Sequence, residues 1–108
     1  MPRIATRLSG PAQIATGPAT VYTVPAVTKT IVRHIHVQNP SASAVTFTLS
    51  IGTDAAGTRL FDVFSIGANQ VLDHFCYYVL EAAEIIQAAA GTNNILVMTI
   101  DGDESVLG

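Results

Sequence analysis

The 108-residue sequence contains no tryptophan, one cysteine, one lysine and no long apolar run. Because Cys76 is the single cysteine, no disulfide bond can form within the chain. The N-terminal residues lack the apolar core of a signal peptide, and no stretch reaches the ~20 apolar residues that a membrane-spanning helix needs. We therefore expect a protein that folds in a reducing cytoplasm and has no membrane partner.

Charged side chains are also scarce, at 12 % of the residues against about 25 % in an average globular domain. Lysine is depleted at protein–protein interfaces because its long, hydrated side chain is costly to immobilise. A surface with few charges and only Lys29 therefore has a low free-energy cost of burial against another protein. A GC-rich genome is an alternative explanation, because it would produce a similar composition. The net charge of −3 argues against a nucleic-acid partner.

The charges are distributed unevenly along the chain. Residues 1–53 carry a formal charge of +4 and no acidic side chain, whereas residues 54–108 carry −7. Two interpretations follow from this asymmetry. Either the halves neutralise each other within one fold, or their opposite charges favour head-to-tail contact between identical copies.

Alternation of apolar and polar residues is the dominant pattern, and it predicts β-strands. The alternation is clearest over residues 45–51 (VTFTLSI), and it is also present over residues 30–38 (TIVRHIHVQ). Between these stretches, residues 39–43 (NPSAS) are typical of a turn. We therefore predict that the two strands form a hairpin.

Six more segments are predicted to be strands, over residues 13–16, 20–24, 60–66, 71–80, 85–88 and 95–100. Residues 60–66 are apolar on both faces, which favours a position inside a sheet. Residues 81–90 (EAAEIIQAAA) have a helix-like composition, but they lack an N-cap and contain β-branched residues, so a short strand is favoured. About eight short strands at this spacing predict an all-β fold, a small antiparallel β-sandwich that is jelly-roll-like.

The first 19 residues contain three prolines, which cannot donate hydrogen bonds to a sheet. We predict an extended N-terminal arm over residues 1–19, ordered against a neighbouring molecule, and a β-sandwich domain over residues 20–108. Arg3 and Arg7 on this arm are candidates for bidentate pairing with carboxylates of a partner. Deletion of residues 1–12 would then abolish binding to the partner and leave the fold intact.

His34 and His36 are also candidate partner-binding residues. They lie two apart in a predicted strand, so both project from the same face, as metal ligands would. Two ligands do not make a metal site, and we interpret the pair as histidines on an outward or interface face. No metal or cofactor is predicted.

Catalytic chemistry has little support in the sequence. Cys76 follows His74 by two residues, but neither a helix N-terminus nor a glycine-rich turn is nearby to activate the thiol. We therefore predict that Cys76 is a small buried or interface residue and that the chain is not an enzyme. The acidic residues at 101, 103 and 104 are followed by too few residues to complete an EF-hand loop, which favours a solvated, frayed C-terminus.

Five stretches occur in an order that is similar to one known family. They are RLSGPAQ at 7–13, TVYTVPA at 20–26, TIVRHIHVQN at 30–39, VTFTLSIG at 45–52 and DAAGTRL at 54–60. Together they resemble small structural proteins of tailed-bacteriophage virions, and the resemblance covers nearly the whole chain. Val27 departs from the family pattern, which has glycine after Pro25-Ala26, so a turn that requires positive φ would differ here.

The resemblance implies a virion component without enzymatic activity, assembled in the host cytoplasm. The favoured role is a capsid decoration (cement) protein that binds and stabilises the major capsid lattice, commonly as a trimer. Its partners would be the major capsid protein or other virion subunits, together with copies of itself. A minor tail or tail-tip protein is the alternative within the family. A receptor- or carbohydrate-binding module is a further alternative, which the absence of tryptophan disfavours.

Overall fold

The computed structural model describes residues 3–107, which form eight β-strands and no helix. The strands are β1 (Ile4–Gln13), β2 (Ala19–Thr23), β3 (Thr28–Gln38), β4 (Val45–Ile51), β5 (Arg59–Ile66), β6 (Val71–Leu80), β7 (Ile85–Ala90) and β8 (Val97–Val106). Over the described residues, no helix exists that is long and apolar enough to cross a membrane. The sequence predictions of an all-β fold and of a strand at residues 85–88 are confirmed.

The strands form two four-stranded antiparallel sheets, with the orders β1-β8-β3-β6 and β2-β7-β4-β5. Among the described strands, β4 and β5 are consecutive and paired, whereas the other connections cross from one sheet to the other. This alternation is the strand order of an eight-stranded jelly roll. The predicted sandwich is therefore confirmed.

The core consists of the inward-facing residues of both sheets. Burial of such a Val, Leu, Ile or Phe side chain contributes about 1.5–3 kcal/mol, which makes this layer the main source of stability. Its most buried members include Val32, Ile35, Phe47, Leu49, Ile86, Met98 and Ile100.

A polar contact joins the two sheets beside the core. The Tyr22 hydroxyl on β2 donates to the Glu104 carboxylate on β8 and lies 2.7 Å from the Thr30 hydroxyl on β3. Burial, together with the hydrogen bond to Glu104, raises the pKa of Tyr22 to about 12, so this hydroxyl stays protonated and able to donate.

The prediction that β3 and β4 form a hairpin was wrong. The two strands lie in different sheets, and residues 39–44 carry the chain from one sheet to the other. The fully buried Asn39 amide donates to the carbonyls of Ser43 (2.9 Å), Ile66 (2.9 Å) and Gly67 (3.1 Å). The side chain of Asn39 therefore links the β3–β4 crossing to the end of β5, while β3 and β4 pair with other strands.

The structure also differs from the predicted arm over residues 1–19, of which the first two lie outside the described residues. Strand β1 pairs with β8 at the edge of the first sheet, and Leu8 and Ile14 are buried in the core. Pro11 is accommodated because the ladder shifts its register on both sides of Ser9. The segment is therefore an edge strand of the sandwich, and deletion of residues 1–12 would remove part of the fold.

Four local predictions need smaller corrections. Residues 14–16 are not a strand, and β5 is an edge strand although an inner position was expected. Strand β8 extends to Val106, so the acidic run near the C-terminus is part of a central strand and is not frayed. The turn at Val27 keeps the left-handed conformation (φ 55°) that the family pattern assigns to glycine.

We expect Leu8→Ala to lower the free energy of unfolding by about 2–3 kcal/mol, because it leaves a cavity in the core. The matched control is Ile4→Ala on the same strand, where the side chain is 61 % exposed and its loss changes stability little. Urea denaturation of the two variants measures both effects. Equal stabilities would contradict the placement of β1 in the sandwich.

We expect Asn39→Ala to lower the free energy of unfolding by about 1–3 kcal/mol, because three carbonyl groups lose the hydrogen bond from the buried amide. The Ser43 and Gly67 carbonyls each keep one donor, the Ser41 hydroxyl and the Gln70 backbone amide, so only part of their hydrogen bonding is lost. The exposed Asn93 in the loop before β8 provides the control, Asn93→Ala. Thermal denaturation followed by circular dichroism compares the variants. Similar melting temperatures would show that the Asn39 amide does not hold the crossing between the sheets.

Candidate functional site

The outer face of the first sheet carries three of the four side chains that the sequence singled out. The strand register places Arg7 of β1, Asp101 of β8, His34 of β3 and Phe75 of β6 in one row across this sheet. His36 lies two residues beyond His34. Because this side of the sheet faces away from the core, the row is open to solvent.

His34 and His36 converge on one carboxylate, that of Asp73 on β6. The Asp73 Oδ1 atom lies 2.6 Å from His36 Nδ1 and 3.0 Å from His34 Nε2. The hydrogen bond from His36 has the largest effect on the pKa of Asp73 and holds it below its usual value, and the hydrogen bond from His34 lowers it further. The three side chains therefore form one connected polar cluster on the outer face.

Aromatic side chains lie beside this cluster on β6. The Phe75 ring stacks on the His34 ring at a centroid distance of 4.3 Å and an interplanar angle of 3°, and Phe75 is 76 % exposed. Arg33 lies over the Tyr77 ring at 5.7 Å from its centroid and pairs with Asp103 at 3.1 Å. This part of the outer face thus combines exposed aromatic surface with ordered polar groups.

Large apolar side chains are exposed along β5 and β6, the two edge strands on one side of the sandwich. We name this surface the apolar edge. Phe64 and Val71 line the same cavity of about 210 Å³, so the surface continues from one strand to the other. Exposed apolar surface that is continuous across two edges is typical of interaction sites. Its members are Val63, Phe64, Val71, Phe75, Tyr77 and Val79.

The four predicted partner-binding residues have different surroundings. Arg7, His34 and His36 share the outer face, whereas the exposed Arg3 precedes β1 at the sheet edge opposite β6. Sequence reasoning missed Asp73 and the exposed aromatic residues of β6. The signal that could have found them is the alternation of β6 itself, because an inward stripe at 72, 74, 76 and 78 leaves the odd-numbered residues outside.

The basic first half and the acidic second half of the chain form ion pairs with each other within the fold. Strand β8, which carries acidic residues, lies between the basic strands β1 and β3. Arg33 pairs with Asp103 at 3.1 Å, and Lys29 pairs with Glu81 at 3.5 Å. These contacts favour neutralisation inside one fold over head-to-tail attraction between copies.

Cys76 is half-buried beneath the outer face. Its Sγ atom lies 3.5 Å from the Val32 carbonyl, to which the thiol donates. Burial raises the pKa of the Cys76 thiol, although the charge of Arg33 opposes this effect. The neighbouring His74 places Nε2 3.0 Å from the Tyr78 hydroxyl. This arrangement favours packing over nucleophilic chemistry for Cys76.

We expect the native protein to react slowly with iodoacetamide at neutral pH, because Cys76 is protonated and half-buried. The alkylation rate should rise when the protein is unfolded in guanidinium chloride, and the rise with pH should come at higher pH in the native protein than in the unfolded one. Mass spectrometry of timed samples measures both rates. Rapid alkylation of the native protein at pH 7 would reveal an activated thiolate and contradict this interpretation.

Comparison with known proteins adds no relative. No protein-family model matches the chain, and neither a curated protein nor a solved structure matches it.

Proposed function

We propose that this chain is a structural subunit of a tailed-bacteriophage virion and acts as a capsid decoration protein. In this role it binds the major capsid lattice through the apolar edge and the adjoining outer face, and it stabilises the assembled shell without catalysing a reaction. The observation that carries the proposal is the apolar edge, whose six large side chains are 45 to 76 % exposed. The sequence resemblance described above supports a virion as the setting.

The size of the available surface supports this role. The chain measures 48 × 25 × 18 Å along its principal axes. A broad face of the sandwich therefore offers on the order of 1,000 Å², against ~800 Å² per partner in a standard protein–protein interface. Subunits that bridge their neighbours stabilise a shell because they bind the assembled form and not its separate parts.

The edge strands differ in how they are protected from pairing with another chain. Strand β1 contains Pro11 and two register shifts, features that blunt a sheet edge. Strand β6 has one register shift and contains neither proline nor lysine. Its free edge and its exposed aromatic residues are thus available to a partner, which supports contact through β6.

Self-association is part of the proposal. The family resemblance favours a trimer, and the sparse charge of the chain lowers the cost of burying its surface against another copy. Light scattering coupled to size-exclusion chromatography gives the mass in solution, and cryo-electron microscopy gives the symmetry on the particle.

We expect the purified chain to bind capsids that lack it, and Phe75→Ala combined with Val79→Ala to weaken this binding at least about tenfold. Truncation of a central aromatic residue at an interface commonly costs more than ~1–2 kcal/mol. The control is Ile4→Ala, because Ile4 is exposed to a similar extent on the opposite edge strand of the same sheet. Co-sedimentation with expanded capsids measures the apparent affinity.

Two outcomes of this experiment would overturn the proposal. If the chain does not bind capsids, and cryo-electron microscopy locates it at the tail, the minor tail role replaces decoration. If the β6 variant binds as tightly as the control, the apolar edge does not carry the contact.

A further inference from the structure

The cluster on the outer face has the composition and geometry of a metal site. His34 and His36 project from β3 on the same side, and the register of β6 places Asp73 opposite His36. The ligating atoms of these side chains all lie within 4.8 Å of one another. We propose that His34, His36 and Asp73 form a binding site for one divalent transition-metal ion. This proposal is independent of the proposed function.

The distances fit an ion after side-chain adjustment. Ligand atoms that surround a metal tetrahedrally at ~2.0–2.2 Å are about 3.4 Å apart. The Asp73 Oδ1 atom is 3.0 Å from His34 Nε2 and 2.6 Å from His36 Nδ1, so both distances have to lengthen by less than about 1 Å. The two histidine nitrogens lie within 4.8 Å of each other and have to approach by up to about 1.4 Å. The Asp73 and His36 side chains, which are 48 % and 38 % exposed, have room for these rotations.

The orientation of the His34 ring is restricted by stacking. Phe75 lies two residues after Asp73 on β6, on the same face, and its ring stacks on the His34 imidazole with an interplanar angle of 3°. This contact restricts rotation of the imidazole. A ligand that is already oriented loses less conformational entropy when the ion binds.

The donor set selects the class of ion. Two imidazole nitrogens and one carboxylate oxygen suit Zn²⁺, Co²⁺, Ni²⁺ and Cu²⁺, whereas Ca²⁺ and Mg²⁺ prefer oxygen donors alone. The side chains of His34 and His36 are 24 % and 38 % exposed, so an ion can enter from solvent. Three protein ligands leave a fourth position for water.

In the metal-free chain, the same atoms form hydrogen bonds. Asp73 Oδ1 accepts from His34 Nε2–H and from His36 Nδ1–H. When the ion binds, the proton of each neutral ring moves to its other nitrogen, His34 Nδ1 and His36 Nε2. The hydrogen-bonded and metal-bound clusters are therefore alternative states of the same three side chains.

Titration of the full, tag-free chain with ZnCl₂ in an isothermal calorimeter tests the site. We expect one Zn²⁺ per chain and a rise in melting temperature that depends on the zinc concentration. Loss of a second-sphere partner of a metal already costs 10- to 100-fold in affinity, so His34→Ala, His36→Ala and Asp73→Asn should each weaken binding at least about tenfold.

The matched control is His74→Gln. His74 is a third histidine in the same pair of strands, but its Nε2 lies beside the Tyr78 hydroxyl and outside the cluster. This variant should bind zinc as the unmodified chain does. Absence of zinc binding by the unmodified chain would overturn the proposal. Equal weakening by the control and the cluster variants would also overturn it, because binding would then be a general property of the histidines.

A second measurement does not depend on the variants being folded. Histidine-selective ¹H–¹⁵N spectra of the unmodified chain resolve three imidazole rings. Addition of one equivalent of ZnCl₂ should shift the ligating nitrogens of His34 and His36 and leave His74 unchanged. A spectrum in which all three rings respond alike, or none does, would contradict the assigned site.

Discussion

The buried amide of Asn39 is the interaction on which the arrangement of the two sheets most depends. Its Nδ2 group donates to the Ser43 carbonyl in the β3–β4 crossing and to the carbonyls of Ile66 and Gly67, where β5 leads into β6. One side chain therefore ties together two passages between the sheets at the same corner. Because a buried polar group without a partner is costly, these hydrogen bonds favour the observed arrangement of the corner. Strand β6 starts from that corner, and its position beside β3 creates both the cluster and the apolar edge.

Much of the fold could be predicted from side-chain alternation, but strand pairing could not. The alternation of Val45, Phe47 and Leu49 shows that one face of a strand is buried, without showing which strands pair beside it in the sheet. The sequence from Asn39 to Ser43 has the composition of a turn, and this composition suits a crossing as well as a hairpin. Strand β5 was expected inside a sheet because it is apolar on both faces. It lies at an edge, where its outward apolar residues are exposed.

The candidate site was only half visible in the sequence. His34 and His36 share a face because they are two residues apart on a strand, a relation that depends on strand geometry alone. Asp73 is 37 residues further along the chain, and only the register of β6 against β3 brings it to His36. The same register stacks Phe75 on His34. The spacing of residues along one strand thus identifies candidate ligands on that strand. A site shared between two strands also depends on how the strands pair, which the sequence does not show.

The pairing of β1 with β8 has a practical consequence. Ile4 lies opposite Glu104, so the first and last strands run side by side, with β1 at the sheet edge and β8 next to it. Three strand spacings, ~14 Å in all, separate β1 from β6, whereas two, ~10 Å, separate β8 from β6. A peptide or fluorescent domain joined before Ile4 would therefore emerge at the strand that lies farthest across this sheet from the exposed aromatic residues of β6. Of the two terminal strands, β1 is the better place for a fusion that leaves β6 uncovered.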